Sequence, residues 1–248
     1  RAMWALHIVK GLSEKELINA LKDDQEYIRG WAVQLLCEDL KPSAKALAVF
    51  KDMALNDSSP VVHLYLAAAL QRIPKQEAQW KIIEGLLSQE TDTEDHNIPK
   101  MIWFGLEPLV ADNPDLALAQ AGKSKIPMIS EFVARRLVDE DALEKLTAFI
   151  GTKPKMLLRL LKGMQSGLEG RSDAKPPANW SDVYVGLKSN KTTAAIALQI
   201  AQQFGDAEAA QQYLTTLRQT NAPLSQRRIA LEGLVKQQRN ELIDILPG

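Results

Sequence analysis

Apolar residues recur along this chain at the spacing of one helix face, and the same arrangement occurs twice. Ala20–Leu36 reads ALKDDQEYIRGWAVQLL, and Ala54–Leu70, starting 34 positions later, reads ALND followed by SSPVVHLYLAAAL. The apolar positions follow i, i+3, i+4, i+7, i+8 in the first segment and i, i+4, i+7, i+8, i+11 in the second, which is one stripe of an α-helix. They are Ile28, Trp31, Ala32, Leu35 and Leu36, then Val62, Leu66, Ala69, Leu70 and Ile73.

The interval is typical of helical-hairpin repeats, and one hairpin cannot bury such a stripe alone. Helix-start signals agree: Ser13 and Glu16 have the spacing of a capping box, and Ser59-Pro60 and Asn113-Pro114 resemble an N-cap followed by proline. The alternation of apolar and polar residues that is typical of β-strands does not occur in the sequence. We therefore predict an all-α fold, an α/α superhelix (α-solenoid) of about fifteen helices.

A polar, proline-containing stretch interrupts the helical pattern late in the chain. Residues 169–182 read EGRSDAKPPANWSD and follow the strongly apolar Lys153–Leu168. Such composition favours an irregular segment. We predict an N-terminal part of the solenoid over residues 1–168, a connector over 169–182, and helical repeats that continue the solenoid over 183–248.

Acids in the predicted turns are followed by basic groups early in the next helix. Asp24 precedes Arg29, and Asp57 precedes His63. This order predicts that the side chains tie each turn to its following helix. Arg135-Arg136 and Arg227-Arg228 are expected to bind acids or carbonyls of the preceding turn in the same way, with phosphate binding as the alternative.

Composition narrows the function classes. The chain has 248 residues, 46% hydrophobic and 25% charged, with a net charge of −1, which gives no overall basic footprint for nucleic acid. Apolar runs are too short to cross a bilayer. The single cysteine, Cys37, excludes an internal disulfide and is expected to be a buried filler. The opening RAMWALHIV has no initiator Met, which suggests a piece of a longer protein.

Candidate chemistry is sparse. The three histidines, His7, His63 and His96, lack zinc-ligand spacing. His96 lies in TDTEDHN, which lacks the order of a calcium loop and is expected to be solvated. The paired acids Asp23-Asp24 and Asp112/Asp115 lie at turns and caps. We predict no catalytic, cofactor-binding or metal-binding residue.

Three residues are candidates for an interaction surface: Trp180, Tyr65 and Arg228. Trp180 follows Pro176-Pro177, so it could anchor the connector on the solenoid or contribute to a docking patch. The run Met101–Phe104, MIWF, is expected to be core between stacked helices.

The residues also carry a family resemblance. Asp-x-x-x-x-[Ile/Val]-Arg-x-x-Ala-x-x-Leu, as in Asp23 to Leu35, is the pattern of HEAT repeats. The ordered series RAMWALHIVKGL, LKDDQEYIRGWAVQLL, SSPVVHLYLAAALQRIP, NIPKMIWFGLEPLVADNP and IPMISEFVARRL resembles the HEAT region of large bacterial haem-binding proteins labelled membrane-bound dehydrogenases. These proteins occur in Planctomycetes, Verrucomicrobia and Bacteroidetes.

The resemblance implies a HEAT scaffold between a β-propeller and a c-type cytochrome domain, neither of which this chain contains. Haem attachment needs C-x-x-C-H, whereas Cys37 is followed by Glu38 and Asp39. Haem is therefore expected only in a cytochrome domain outside this chain. The implied location is extracytoplasmic or periplasmic, and the implied partners are other domains of the parent protein or a separate protein. Nucleic acid and direct membrane insertion are not expected, and the isolated segment is expected to be a monomer.

Three alternatives stay open. HEAT-like repeats also build DNA glycosylases for alkylated bases, which need a basic groove with an aromatic residue and a carboxylate. The chain could be a free-standing interaction module. A lyase or electron-transfer role borrowed from the parent protein would require haem absorbance.

Overall fold

The computed structural model describes residues 2–152, 156–171, 174–243 and 245, which form α-helices joined by turns and contain no β-strand. The all-α prediction is confirmed. The fifteen α-helices of these residues are α1 Ala2–Ile8, α2 Glu14–Ala20, α3 Glu26–Leu36, α4 Ala44–Asn56, α5 Pro60–Ala69, α6 Glu77–Leu87, α7 Ile98–Val110, α8 Pro114–Lys123, α9 Pro127–Asp139, α10 Leu143–Ile150, α11 Leu157–Leu168, α12 Trp180–Ser189, α13 Ala194–Gln203, α14 Ala207–Arg218 and α15 Leu224–Lys236. Short 3₁₀ helices cover Leu70–Arg72, Glu90–Asp92 and Asn240–Leu242.

Side-chain caps start several of these helices where the sequence predicts them. Ser13 and Glu16 form the expected capping box at α2, with the Ser13 N–H donating to the Glu16 carboxylate at 2.7 Å. Ser59 caps α5 and Asn113 caps α8, and each is followed by proline in the first turn. These contacts satisfy backbone N–H groups that have no partner inside the helix.

By contacts, the chain divides into two compact units, Arg1–Val133 and Ala134–Gly248. In the first unit each long helix packs on the helix two places further along: α3 on α5, α4 on α6 and α5 on α7. The apolar stripes meet in a core that includes the fully buried Phe50, Leu66, Ile82, Ile102 and Leu106. This division lies N-terminal to the predicted connector.

Glycines let these helices approach closely. A Cβ on Gly85 of α6 would lie 2.9 Å from the Ala54 carbonyl carbon and from the Ala54 Cβ on α4. A Cβ on Gly30 of α3 would lie 2.6 Å from the Tyr65 ring on α5. Backbone and ring therefore occupy the space that any larger residue would need.

The second unit holds a core of its own, built from α14, α15 and the 3₁₀ helix that follows them. Its buried residues include Ala210, Tyr213, Leu214, Ala230 and Leu234. In addition, α11 packs on α13, and α12 packs on α13. The packing of alternate helices thus occurs in this unit as well.

The predicted connector differs from the structure at its C-terminal end. Helix α12 begins at Trp180, so residues 180–182 are helical, and residues 174–179 precede the helix. The helix begins this early because the Trp180 side chain is buried there. Its ring packs on Tyr184, one turn later in the same helix, and on Phe204. Residues 172–173 of the connector, and residues 153–155 of the apolar segment before it, lie outside the described residues.

Polar contacts join residues about one hairpin apart in each unit. Gln89 donates to the Ala54 carbonyl 35 positions earlier, and Gln165 donates to Gln199 34 positions later. Arg171 donates to the Val138 carbonyl 33 positions earlier. The interval of the sequence repeat is therefore also the interval of these lateral hydrogen bonds.

The contacts of Arg29 confirm one prediction and extend it. Arg29 does donate to the carbonyl oxygens of Asp23 and Asp24 in its own turn, at 2.9 and 3.2 Å. Its carboxylate partner, however, is Asp57 of the following hairpin. The side chain therefore ties two hairpins together as well as tying its turn to its own helix.

Candidate functional site

An exposed group of aromatic residues lies in the first unit, on α1 and α3. Trp4 is 51% exposed, Tyr27 61% and Trp31 41%. Together with Met3 and Ile28 they line an open cavity of about 390 Å³. We call these five residues the aromatic surface. Large aromatic side chains are enriched at protein interfaces, and isolated ones on a surface need no explanation, but a cluster does.

Tyr65, one of the predicted interaction residues, borders this surface. Its ring lies 6.1 Å from the Trp31 ring, centroid to centroid, at an interplanar angle of 50°. The side chain is half-buried, and its ring also lies against Gly30 of α3. Tyr65 therefore supports Trp31 from the neighbouring helix α5, and part of its ring remains accessible.

Trp180 does not belong to an exposed surface, which corrects its place among the interaction candidates. It is only 5% exposed. Its ring stacks on Tyr184 at 5.6 Å and meets the edge of Phe204 at 5.2 Å. Two roles were predicted for Trp180, an anchor or part of a docking patch. The buried ring fits the anchor, at the start of α12.

Arg228 is exposed on α15, but its partner is not the one expected. Its Nε donates to Glu232 at 2.9 Å, one turn later in the same helix. Arg136 likewise pairs with Glu140 on α9 at 2.6 Å. Both pairs are i,i+4 contacts, so the prediction that these arginines bind the preceding turn is wrong for Arg136 and Arg228.

The expected core run of α7 divides between two environments. Trp103 is buried against Phe132, with ring centroids 5.3 Å apart. Phe104, its neighbour, is 48% exposed. Adjacent residues on a helix face different directions, so a cluster of four apolar residues cannot all lie on one buried stripe.

The most unusual buried polar group is a histidine–aspartate pair in the first unit. His63 Nδ1 lies 2.7 Å from Asp92 Oδ2, with both side chains almost completely buried. The approach is poorly aligned, so neither Asp92 oxygen gains a well-directed hydrogen bond within the described residues. The other ring nitrogen, Nε2, lies 2.7 Å from the Asp57 carbonyl oxygen. Burial lowers the pKa of His63, but Asp92 and Asp57 raise it by more, and the net pKa is above its ordinary value.

Such a pair could orient a general base, but this one is closed to a substrate. Its side chains are 1% and 0% exposed. It links α5 to the 3₁₀ helix Glu90–Asp92 and to the turn before α5. The place of His63 matches that of Arg29 in the preceding hairpin, because each contacts its own turn and an acid of the next hairpin.

Possible metal ligands and the single thiol are the remaining chemically reactive groups. Among the described residues, the histidine, cysteine and acidic side chains do not gather in groups of three that could bind a metal ion. Cys37 is buried, and burial raises the pKa of its thiol to about 12, so it is a poor nucleophile at neutral pH. Within the same described part of the chain, the helices are too short or too polar to cross a membrane.

The chain was compared with protein-family models, curated proteins and solved structures. No family model, curated protein or solved structure matches the chain. The family resemblance in the sequence therefore stays a prediction.

Sequence reasoning missed Trp4 and Tyr27 as surface residues and placed Trp31 on a buried stripe. One signal was available, since Tyr27 and Trp31 are four positions apart and therefore share a helix face. What the sequence could not give is that Tyr27, Ile28 and Trp31 on α3 lie beside Met3 and Trp4 of α1 and stay exposed.

Proposed function

We propose that this chain is a HEAT-type α-solenoid segment that serves as a non-catalytic scaffold and protein-interaction surface. We further propose that it belongs to a larger extracytoplasmic bacterial haem-binding, dehydrogenase-like protein. The repeat interval in the sequence, the packing of alternate helices in each unit and the lateral hydrogen bonds support this architecture. In such an assembly each hairpin is stabilised mainly by its neighbours.

The observation that carries the interaction role is the aromatic surface. Exposing Trp4, Tyr27 and Trp31 leaves a large apolar area in water, which costs free energy unless a partner covers it. Tryptophan and tyrosine bury much area for few rotatable bonds, so they act as anchors in interfaces. The proposed partner is another domain of the parent protein, held at a fixed position by these anchors.

The aromatic surface lacks the basic residues that the DNA-binding alternative requires. The residues that line the aromatic cavity are Met3, Trp4, Tyr27, Ile28 and Trp31, and none of them is basic. Phosphate contacts need Lys or Arg. A gel shift at low salt, with duplex DNA as the probe, tests this alternative directly, and we expect no retardation.

The interaction role is tested by site-specific photo-crosslinking in the native host. A benzoylphenylalanine residue replaces Trp31, and the matched control carries it in place of Leu55, an exposed apolar residue on α4. We expect efficient crosslinks to one defined protein segment from position 31 and few from position 55. Equal crosslinking from both positions, or none from position 31, would contradict an interaction surface at Trp31.

The parent protein is tested separately. An antibody against the segment is used on fractionated host cells, and the same gel is stained for covalently bound haem. An extracytoplasmic, haem-positive band much larger than 27.5 kDa is the expected result. A small haem-free band would remove the dehydrogenase-like parent but would leave a free-standing interaction module as the function.

A further inference from the structure

The second compact unit contains a groove lined with amide side chains. An open cavity of about 280 Å³ lies among α11, α13 and α15, and five of its lining residues are glutamines. A neighbouring cavity of about 450 Å³ shares Gln199, Tyr213 and Ile229 with it. We call the two cavities together the glutamine groove.

One pair of glutamines in this groove is only half used. Gln165 Nε2 on α11 donates to Gln199 Oε1 on α13 at 2.6 Å. Within the described residues, Gln165 Oε1 and Gln199 Nε2 make no hydrogen bond, and both side chains are partly exposed. The pair therefore leaves one acceptor, Gln165 Oε1, and one donor, Gln199 Nε2, without a partner among the described residues. In an extended chain each residue directs its own N–H and C=O to the same side, so a peptide main chain can donate to the open Gln165 oxygen and accept from the open Gln199 N–H.

Two further amides in the first cavity have unmet hydrogen bonds. The side-chain amide oxygens of Gln202 and Gln203, Oε1 in each, are buried and have no hydrogen-bond partner among the described residues. Gln202 is held in place because its Nε2 donates to Gln237 at 2.9 Å. Buried acceptors without a donor cost free energy, and these two oxygens would gain an N–H partner from a ligand if their side chains turned toward the cavity.

The walls between the amides fit side chains of a peptide. Leu168 and Ile229 supply apolar contact on the first cavity. Tyr213 lies between the two cavities, and burial raises the pKa of its phenol to about 12, so the hydroxyl stays protonated at neutral pH. A protonated phenol can donate a hydrogen bond as well as accept one.

Charge at the groove favours an acidic group on the ligand. Four of the five charged lining residues already form ion pairs: Arg171 with Asp141, Lys188 with Glu208, and Glu232 with Arg228. Lys236 also lines the first cavity, and its amino group forms no ion pair within the described residues. The uncompensated charge of the groove is therefore positive.

We propose that the glutamine groove binds an extended peptide segment of a protein partner, with the Gln165–Gln199 pair holding its main chain and Lys236 binding an acidic side chain. The site lies outside the aromatic surface, so the inference goes beyond the scaffold role. Photo-crosslinking at position 31 and peptide binding at the groove can fail independently of one another.

The test uses the full chain and a phage-displayed library of random linear peptides. The most enriched sequence is synthesised with a fluorescent label, and its Kd is measured by anisotropy. We expect acidic residues among the enriched sequences and binding about tenfold weaker in the Gln165→Leu/Gln199→Leu variant. The matched control is Gln211→Leu, because Gln211 is an exposed glutamine on α14 that lines neither cavity, and it should bind like the wild type.

A second test reverses the charges of Lys236 and of the peptide, and it can be used if the Gln165→Leu/Gln199→Leu variant does not fold. Lys236→Glu should weaken binding of the acidic peptide, and a peptide with its acid changed to lysine should recover binding to that variant. The proposal is overturned if the library yields no sequence above bare support or if the leucine and charge variants bind unchanged. It is also overturned if dipeptides compete as well as the whole peptide, since the groove would then be a small-molecule site.

Discussion

Arg29 and Asp57 lie in successive hairpins and join through two hydrogen bonds of 2.8 Å each between guanidinium and carboxylate. The side chains are only 17% and 8% exposed. The hydrogen bond from Arg29 to Asp57 raises the pKa of the guanidinium, which is charged at any ordinary pH. Asp57 also accepts from the Ser59 N–H at 2.9 Å, so one carboxylate connects the previous hairpin to the start of α5.

We expect Arg29→Met to lower the free energy of unfolding by about 3 kcal/mol, because removing one partner leaves a partly buried charge unpaired. Urea titration followed by circular dichroism measures the change. Lys81→Met is the control, since the Lys81–Glu84 pair is exposed and within one helix, and its loss should cost about 0.5 kcal/mol or less. A result for Arg29→Met as small as that of the control would show that the bond between hairpins contributes little.

Stability should depend on pH through His63. Its folded pKa lies above the ordinary value of 6.5, so the folded state binds the proton more tightly than the unfolded chain. The stabilisation by the Asp92 pair is complete below the unfolded pKa and is lost as pH rises through the folded pKa. The urea midpoint should therefore fall as pH rises above about 6.5.

His63→Gln should remove this component of the pH dependence, whereas His96→Gln should retain it, because His96 is exposed in the acidic loop. The variants are compared by urea midpoints at several pH values across the neutral range. An identical pH profile for the wild type and His63→Gln would contradict the role of the buried pair.

Helix positions and caps could be predicted from the sequence, since they depend on local spacing. The caps at Ser13 and Ser59 occur as expected. The stripe on α3 was predicted less well: Ala32, Leu35 and Leu36 are buried, but Ile28 and Trp31 are exposed. Periodicity shows which residues share a face, and it cannot show how far along that face the neighbouring helix extends.

Partners across hairpins could not be predicted, because they depend on the register between helices. The acid that binds Arg29 is Asp57, 28 positions away, and the nearer Asp23 and Asp24 offer it only carbonyl oxygens. The Gln165–Gln199 pair is invisible in the sequence for the same reason. Trp180 was open to two interpretations because composition does not distinguish a buried anchor from an exposed one.

Trp180 gives a prediction that separates those two interpretations. Because its ring is enclosed by Tyr184 and Phe204, Trp180→Ala should lower the free energy of unfolding by about 3–5 kcal/mol. Trp31→Ala removes a ring that is 41% exposed and should cost much less. Urea denaturation of both variants measures the difference, and equal losses would mean that the two rings are equally buried.

Two glycines inside helices should respond to the same substitution with opposite signs. Gly85→Ala places a Cβ 2.9 Å from the backbone and side chain of Ala54, so α4 and α6 must move apart, at a cost of about 1–3 kcal/mol. Gly186 on α12 has no atom within 4 Å of the added Cβ, and Gly186→Ala should stabilise by about 0.5–1 kcal/mol through helix propensity.

Thermal and urea unfolding of these two variants test the close packing directly, because propensity favours alanine equally at both positions. Any loss at Gly85 therefore reports the approach of the neighbouring helix, and the gain at Gly186 supplies the reference for an unobstructed helix. If Gly85→Ala were stabilising as well, the contact between α4 and α6 would have to be looser than the Gly85–Ala54 distance indicates.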